Sequence, residues 1–157
     1  MANRNEITTT LSGVHLCCGG CTDAADTALR SVPGVTSLCD IDNSALTFTA
    51  PDHAAARDAL SALAGAGFYG ESDTPGLAVP PVGEVPSGVV SRATVSGIHN
   101  CCDLCADAIK QAVATVDGVS GDTAAPKVTR FEVTGSFRPD ALVKALNAAG
   151  FSARVSV

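Results

Sequence analysis

Tryptophan is absent from this 157-residue chain, tyrosine and methionine occur once each, and aromatic residues make up only 4% of it. Any core must therefore be filled by Ala, Val and Leu with a few Phe. No apolar run approaches the roughly 20 residues that cross a bilayer, which argues against a membrane span. Positive charge is also scarce. Ten Lys and Arg stand against sixteen Asp and Glu, for a formal charge of −6. A nucleic-acid partner needs a clustered basic face, and none is available. An acidic surface is compatible with attracting cations or a basic protein, but by default it serves solubility. Residues 1–6 lack the charged and apolar regions of a signal peptide, so the chain reads as cytoplasmic. A periplasmic or exported chain whose signal peptide had been removed would read the same.

Cysteine, by contrast, is abundant and concentrated. Two stretches, His15-Leu-Cys-Cys-Gly-Gly-Cys21 and His99-Asn-Cys-Cys-Asp-Leu-Cys105, both read H-x-C-C-x-x-C at an offset of 99 − 15 = 84 residues. They hold six of the seven cysteines and two of the three histidines. Cysteines used for packing would be scattered through the core, and disulfide frameworks usually spread theirs. The pattern reads as a thiol-rich site built twice in a reducing compartment.

The rest of the chain repeats with the loops. Residues 6–14 alternate apolar and polar and read as a strand. Ala25, Ala28, Leu29 and Val32 then give one apolar helix face, which Pro33-Gly34 ends. Strands are expected at 35–41 and 45–49, a second helix after Pro51-Asp52 with the face Ala56, Ala59, Leu60 and Leu63, and a last strand at 68–72. Residues 73–88 carry four prolines and three glycines in sixteen positions, and read as a semi-rigid linker. The order recurs afterwards: a strand at 89–98, a helix with Ile109, Ala112, Val113 and Val116, a strand at 127–134 and a helix from Pro139-Asp140. Residues 119–126 are poor in strand formers. The expectation is α+β, with two ferredoxin-like βαββαβ domains in tandem: 1–72, the linker 73–88, and 89–157, each small enough that one core is marginally stabilising.

Each cysteine loop joins a strand end to a helix start. In extended backbone His15 and Cys17 point together, while Cys18 and Cys21, three apart, meet on one helical face. The helix N-terminus favours thiolate there, the form that binds a soft metal. Thiolates select Cu(I), Zn(II) and similar ions. Two thiolates suit linear Cu(I), a third gives a trigonal site, and three with a histidine give a closed Cys₃His site for Zn(II). A seven-residue loop hardly wraps four ligands round one ion, which favours two or three thiolates with histidine optional.

With Gly13 after the first strand, C-x-x-C at the first helix, Pro33-Gly34-Val35 after it and Ala66-Gly67-Phe68 before the last strand, the chain resembles the heavy-metal-associated domain family. These are modules of copper chaperones and of metal-transporting ATPase tails. The resemblance implies Cys18 and Cys21, and Cys102 and Cys105, as primary ligands, with Cys17, Cys101, His15 and His99 as further candidates. It also implies Cu(I) first and Zn(II) second, up to one ion per domain, and a metal-transporting ATPase or another metalloprotein as partner. The loop departs from the family pattern by two extra residues, a missing methionine and a cysteine before each motif. Neither an ATPase phosphorylation motif nor a membrane helix is present, so a carrier, buffer or detoxifying sink is expected, not a transporter or an enzyme. Two competing readings stay open: a thiol–disulfide redox protein using the same pairs, and an interaction module with structural metal. Cys39 reads as a core thiol, His53 and Lys110 as solvated, and Phe68 and Phe151 as core residues beside the loops.

Overall fold

The computed structural model describes residues 5–157, so residues 1–4 of the first expected unit lie outside the described residues. The first half runs β1 (Ile7–Ser12), α1 (Gly19–Arg30), β2 (Thr36–Asp40), β3 (Ala45–Ala50), α2 (His53–Gly65) and β4 (Glu71–Ser72). The second runs β5 (Val90–Ser96), α3 (Asp103–Ala114), β6 (Val119–Asp122), β7 (Arg130–Phe137), α4 (Pro139–Ala148) and β8 (Arg154–Ser156). Each half forms one four-stranded antiparallel sheet, in the orders β2-β3-β1-β4 and β6-β7-β5-β8. The class is α+β.

Alternation in the strands decides which face is buried. Leu11, Leu46, Phe48 and Ala50 point into the first core, against Ala25 and Leu29 of α1 and Leu60 and Leu63 of α2. Thr8 and Thr49, and Thr10 and Thr47, lie opposite one another and pair their hydroxyls at 2.9 Å, a cross-strand contact that helps fix the register. Val95, Phe131 and Val133 play the inward part in the second half, under Ile109, Val113, Leu142 and Leu146. Helix α2 starts where Asp52 accepts from the backbone N–H of Ala55 at 2.8 Å, satisfying one of the donors a helix start leaves free.

Four local expectations change. The last strand of the first half, expected at 68–72, is only Glu71–Ser72. Strand β7 begins at Arg130, because residues 125–128 form a turn: Val128 N–H donates to Ala125 at 3.1 Å and Lys127 has φ 66°. Strand β6 exists but is short, and its pairing with β7 shifts register between Val119 and Gly121. The segment expected as a linker is in part packed structure. Thr10 and Asp73 exchange hydrogen bonds at 2.9 and 3.0 Å, and Leu77 and Val79 are buried in the first core.

The halves also join directly, through the last turn after α2 and after α4. Both helices end in the same way: Gly67 N–H bonds to Ala64 and Phe68 N–H to Leu63, as Gly150 does to Asn147 and Phe151 to Leu146. This is the six-to-one and five-to-two pairing of a Schellman end. The glycines have φ 95° and 93°. Beyond them Phe68 and Phe151 form an antiparallel bridge between the halves. Tyr69 N–H donates to Gly150 and Ser152 N–H to Gly67, both at 3.0 Å, and the Ser152 hydroxyl donates to Phe68 O at 2.6 Å.

Candidate metal centre

That junction places each half's helix-end glycine against the other half's cysteine loop. A Cβ on Gly67 would lie 2.1 Å from His99 N, and one on Gly150 would lie 2.2 Å from His15 N. The histidines then stack crosswise. His15 lies on Phe151 with ring centroids 4.5 Å apart, and His99 on Phe68 at 4.4 Å. Phe68 and Phe151 are fully buried, so besides filling cores they form the floor beneath both loops.

Cys18 and Cys102 are the N-cap residues of α1 and α3, with Cys21 and Cys105 one turn inside and buried. In the second loop, buried Asn100 donates to the carbonyls of Ala125 and Val128 at 2.7 and 2.9 Å, tying the loop to the turn before β7. The first loop has buried Leu16 at the matching position and holds by packing instead.

The two loops face each other, and their six sulfurs form one group. Within each loop the sulfur pairs are Cys17–Cys21 at 3.4 Å and Cys101–Cys105 at 3.6 Å. Between loops, Cys17 lies 3.5 Å from Cys102 and 3.6 Å from Cys105. Cys101 lies 3.7 Å from both Cys18 and Cys21, and Cys21 lies 3.8 Å from Cys105. Two ligands of a tetrahedral ion with metal–sulfur bonds of about 2.3 Å sit about 3.8 Å apart, so these separations match thiolates sharing a metal. His15 lies within 4.8 Å of Cys17, Cys21 and Cys105, and His99 within 4.8 Å of Cys21, Cys101 and Cys105. The Nε2 atoms of both histidines are buried without a hydrogen-bond partner among the described residues.

All eight expected site residues therefore lie together, but their arrangement differs from two separate C-x-x-C sites. Every metal-capable group among the described residues takes sulfur from both halves. Cys17 and Cys101, read from the family pattern as accessory, sit at the middle of the group. Gly67, Gly150, Tyr69 and Ser152, which hold the loops together, are not among the expected site residues; Ala66-Gly67-Phe68 and its counterpart Ala149-Gly150-Phe151 are their one visible signal. Cys39 is half-buried on β2, with its sulfur 3.9 Å from Thr22 O. His53 is exposed, and Lys110 pairs with Asp122 at 2.8 Å.

Crowding sets the protonation of the thiols. The sulfur–sulfur hydrogen bond between Cys21 and Cys105 holds Cys21 below the ordinary thiol range and Cys105 above it, so the two share a proton. Burial first, then the sulfurs of Cys21 and Cys102, pushes Cys17 up; burial pushes Cys101 up to about 12, with Cys105 opposing and Cys21 and Cys18 adding to it. Cys102 is lowered to about 7, chiefly by the backbone N–H of Cys105 at the start of α3. Burial lowers His15, which favours the neutral ring that carries a lone pair. The group is thus a mixture of thiolate and thiol, ready to exchange protons for a cation.

No protein-family model and no curated protein matches the sequence. A solution structure of the N-terminal soluble domains of Bacillus subtilis CopA is similar to the chain at 14% identity and a TM-score of 0.33, covering 96% of this chain and 94% of that one. That degree of likeness assigns neither a metal nor a ligand set to the protein.

Proposed function

We propose that the protein binds thiophilic metal, Cu(I) first and Zn(II) second, and acts as a metal buffer, carrier or detoxifying sink without a catalytic step. The observation that carries this reading is the meeting of six thiols and two imidazoles in one group contributed by both halves. The element and sheet orders are those of the ferredoxin-like arrangement, which supports the heavy-metal-associated reading of each half. Ligand exchange with a partner thiolate needs an open coordination position. Here Cys21 and Cys105 are buried, and the other four sulfurs are only partly exposed. Holding is therefore favoured over rapid handover, and delivery to an ATPase or another metalloprotein requires the loops to part.

Elemental analysis of protein purified under reducing conditions tests the reading. Copper or zinc that is retained through gel filtration, and lost when the loop cysteines are replaced by serine, is the expected result. A metal-free protein with air-stable disulfides among the same residues would establish the redox reading instead.

A further inference from the structure

The sulfurs of Cys17, Cys21, Cys101 and Cys105 form a tetrahedron. Five of its edges measure 3.4, 3.6, 3.6, 3.7 and 3.8 Å, and the sixth, Cys17–Cys101, lies within 4.8 Å. A tetrahedron has four faces, and four donors of the site remain. Each caps a different face. His15 joins Cys17, Cys21 and Cys105; Cys18 joins Cys17, Cys21 and Cys101. Cys102 joins Cys17, Cys101 and Cys105, and His99 joins Cys21, Cys101 and Cys105. Moving every number by 84 exchanges the first group with the last and the second with the third, so the arrangement has the two-fold character of the repeat.

From this the geometry points to one polynuclear Cu(I)–thiolate cluster of four ions, one on each face of the sulfur tetrahedron, shared by the two halves. The inference rests on the thiophilic-metal reading above and adds the number of ions and the rank of the ligands. Three sulfurs on a face offer Cu(I) a trigonal site, and the capping donor completes four-coordination. Copper stays Cu(I), no electron moves, and each thiol that becomes a ligand releases its proton to solvent. Four Cu(I) and six thiolates leave 4 − 6 = −2, a modest charge for a half-buried site. A single ion at the centre of the tetrahedron would lie about 2.2 Å from each sulfur, near a Zn–S bond. It would, however, leave Cys18, Cys102 and both buried histidine Nε2 atoms without a role, whereas the faces use every donor.

The arrangement ranks the cysteines in an order opposite to the C-x-x-C pattern. Cys17 belongs to three of the four groups and Cys18 to one. The test is an anaerobic Cu(I) titration of the reduced full chain and of the Cys17→Ser and Cys18→Ser variants, read by native mass spectrometry and X-ray absorption. The wild type is expected to pass from metal-free to four copper ions without accumulating intermediates, and to show Cu–Cu scattering. Cys18→Ser is expected to keep at least three ions, and Cys17→Ser no more than one. Cys102→Ser and Cys101→Ser should repeat this pattern, which guards against one variant that fails to fold. Saturation at one or two ions, or a Cys18→Ser loss equal to or larger than that of Cys17→Ser, would overturn the cluster and leave metal binding standing. Absence of bound copper and zinc in the wild type would overturn both.

Discussion

At the scale of single residues, the proposed metal binding turns on how closely the thiols crowd. Cys17 and Cys101 are pushed up by burial and by their neighbours, and Cys21 and Cys105 share a proton. A metal must displace those protons, so binding is coupled to pH. The sign follows directly: groups held protonated at neutral pH compete with the cation, and that competition weakens as pH rises. Apparent metal affinity is expected to increase from pH 6 to pH 8, with proton release during titration in weakly buffered solution. An affinity flat across this range would show that the thiols are already ionised. His15 adds to the same trend, since acid would charge the ring and remove its lone pair.

At the scale of elements, strands and helices were legible in the sequence because their apolar spacing is consistent with a single buried face. Helix α2 followed from Pro51-Asp52 and from Ala56, Ala59, Leu60 and Leu63. Strand β7 was misplaced by three residues at its start, because the turn closed by Val128 and Ala125 is set by hydrogen bonds and not by composition. The packing of Leu77 and Val79 was likewise hidden in a segment whose prolines and glycines suggest a semi-rigid linker. The end of α4 has the sharpest consequence. Gly150 combines φ 93° with a backbone that approaches His15 N and Gly13 O, where an added Cβ would lie at 2.2 and 2.6 Å. A left-handed conformation alone costs a residue with a side chain about 1–2 kcal/mol. Gly150→Ala is therefore expected to destabilise the metal-free protein by at least about 1 kcal/mol in denaturant unfolding, and to weaken metal retention by displacing His15. Unchanged unfolding and unchanged retention would mean that the helix end does not position the loop.

At the scale of the whole molecule, the repeat was visible but its consequence was not. Two copies of H-x-C-C-x-x-C predict two sites when each half is taken alone, and the candidate ligands are read from either copy. What local sequence does not encode is the pairing of one copy with the other. That pairing arises from long-range contacts: the Phe68–Phe151 bridge, the Tyr69–Gly150 and Ser152–Gly67 hydrogen bonds, and the crossed histidine stacks. The proposed holding role would gain retention from closure, since releasing an ion would require both sets of sulfurs to separate. The most direct measurement replaces Cys17, Cys18 and Cys21 together with serine and compares metal retained with that of the wild type under the same chelator challenge. A shared site requires the intact second loop to keep much less than half of the wild-type content. Retention of half, held as tightly as in the wild type, would show two independent sites and contradict the shared centre.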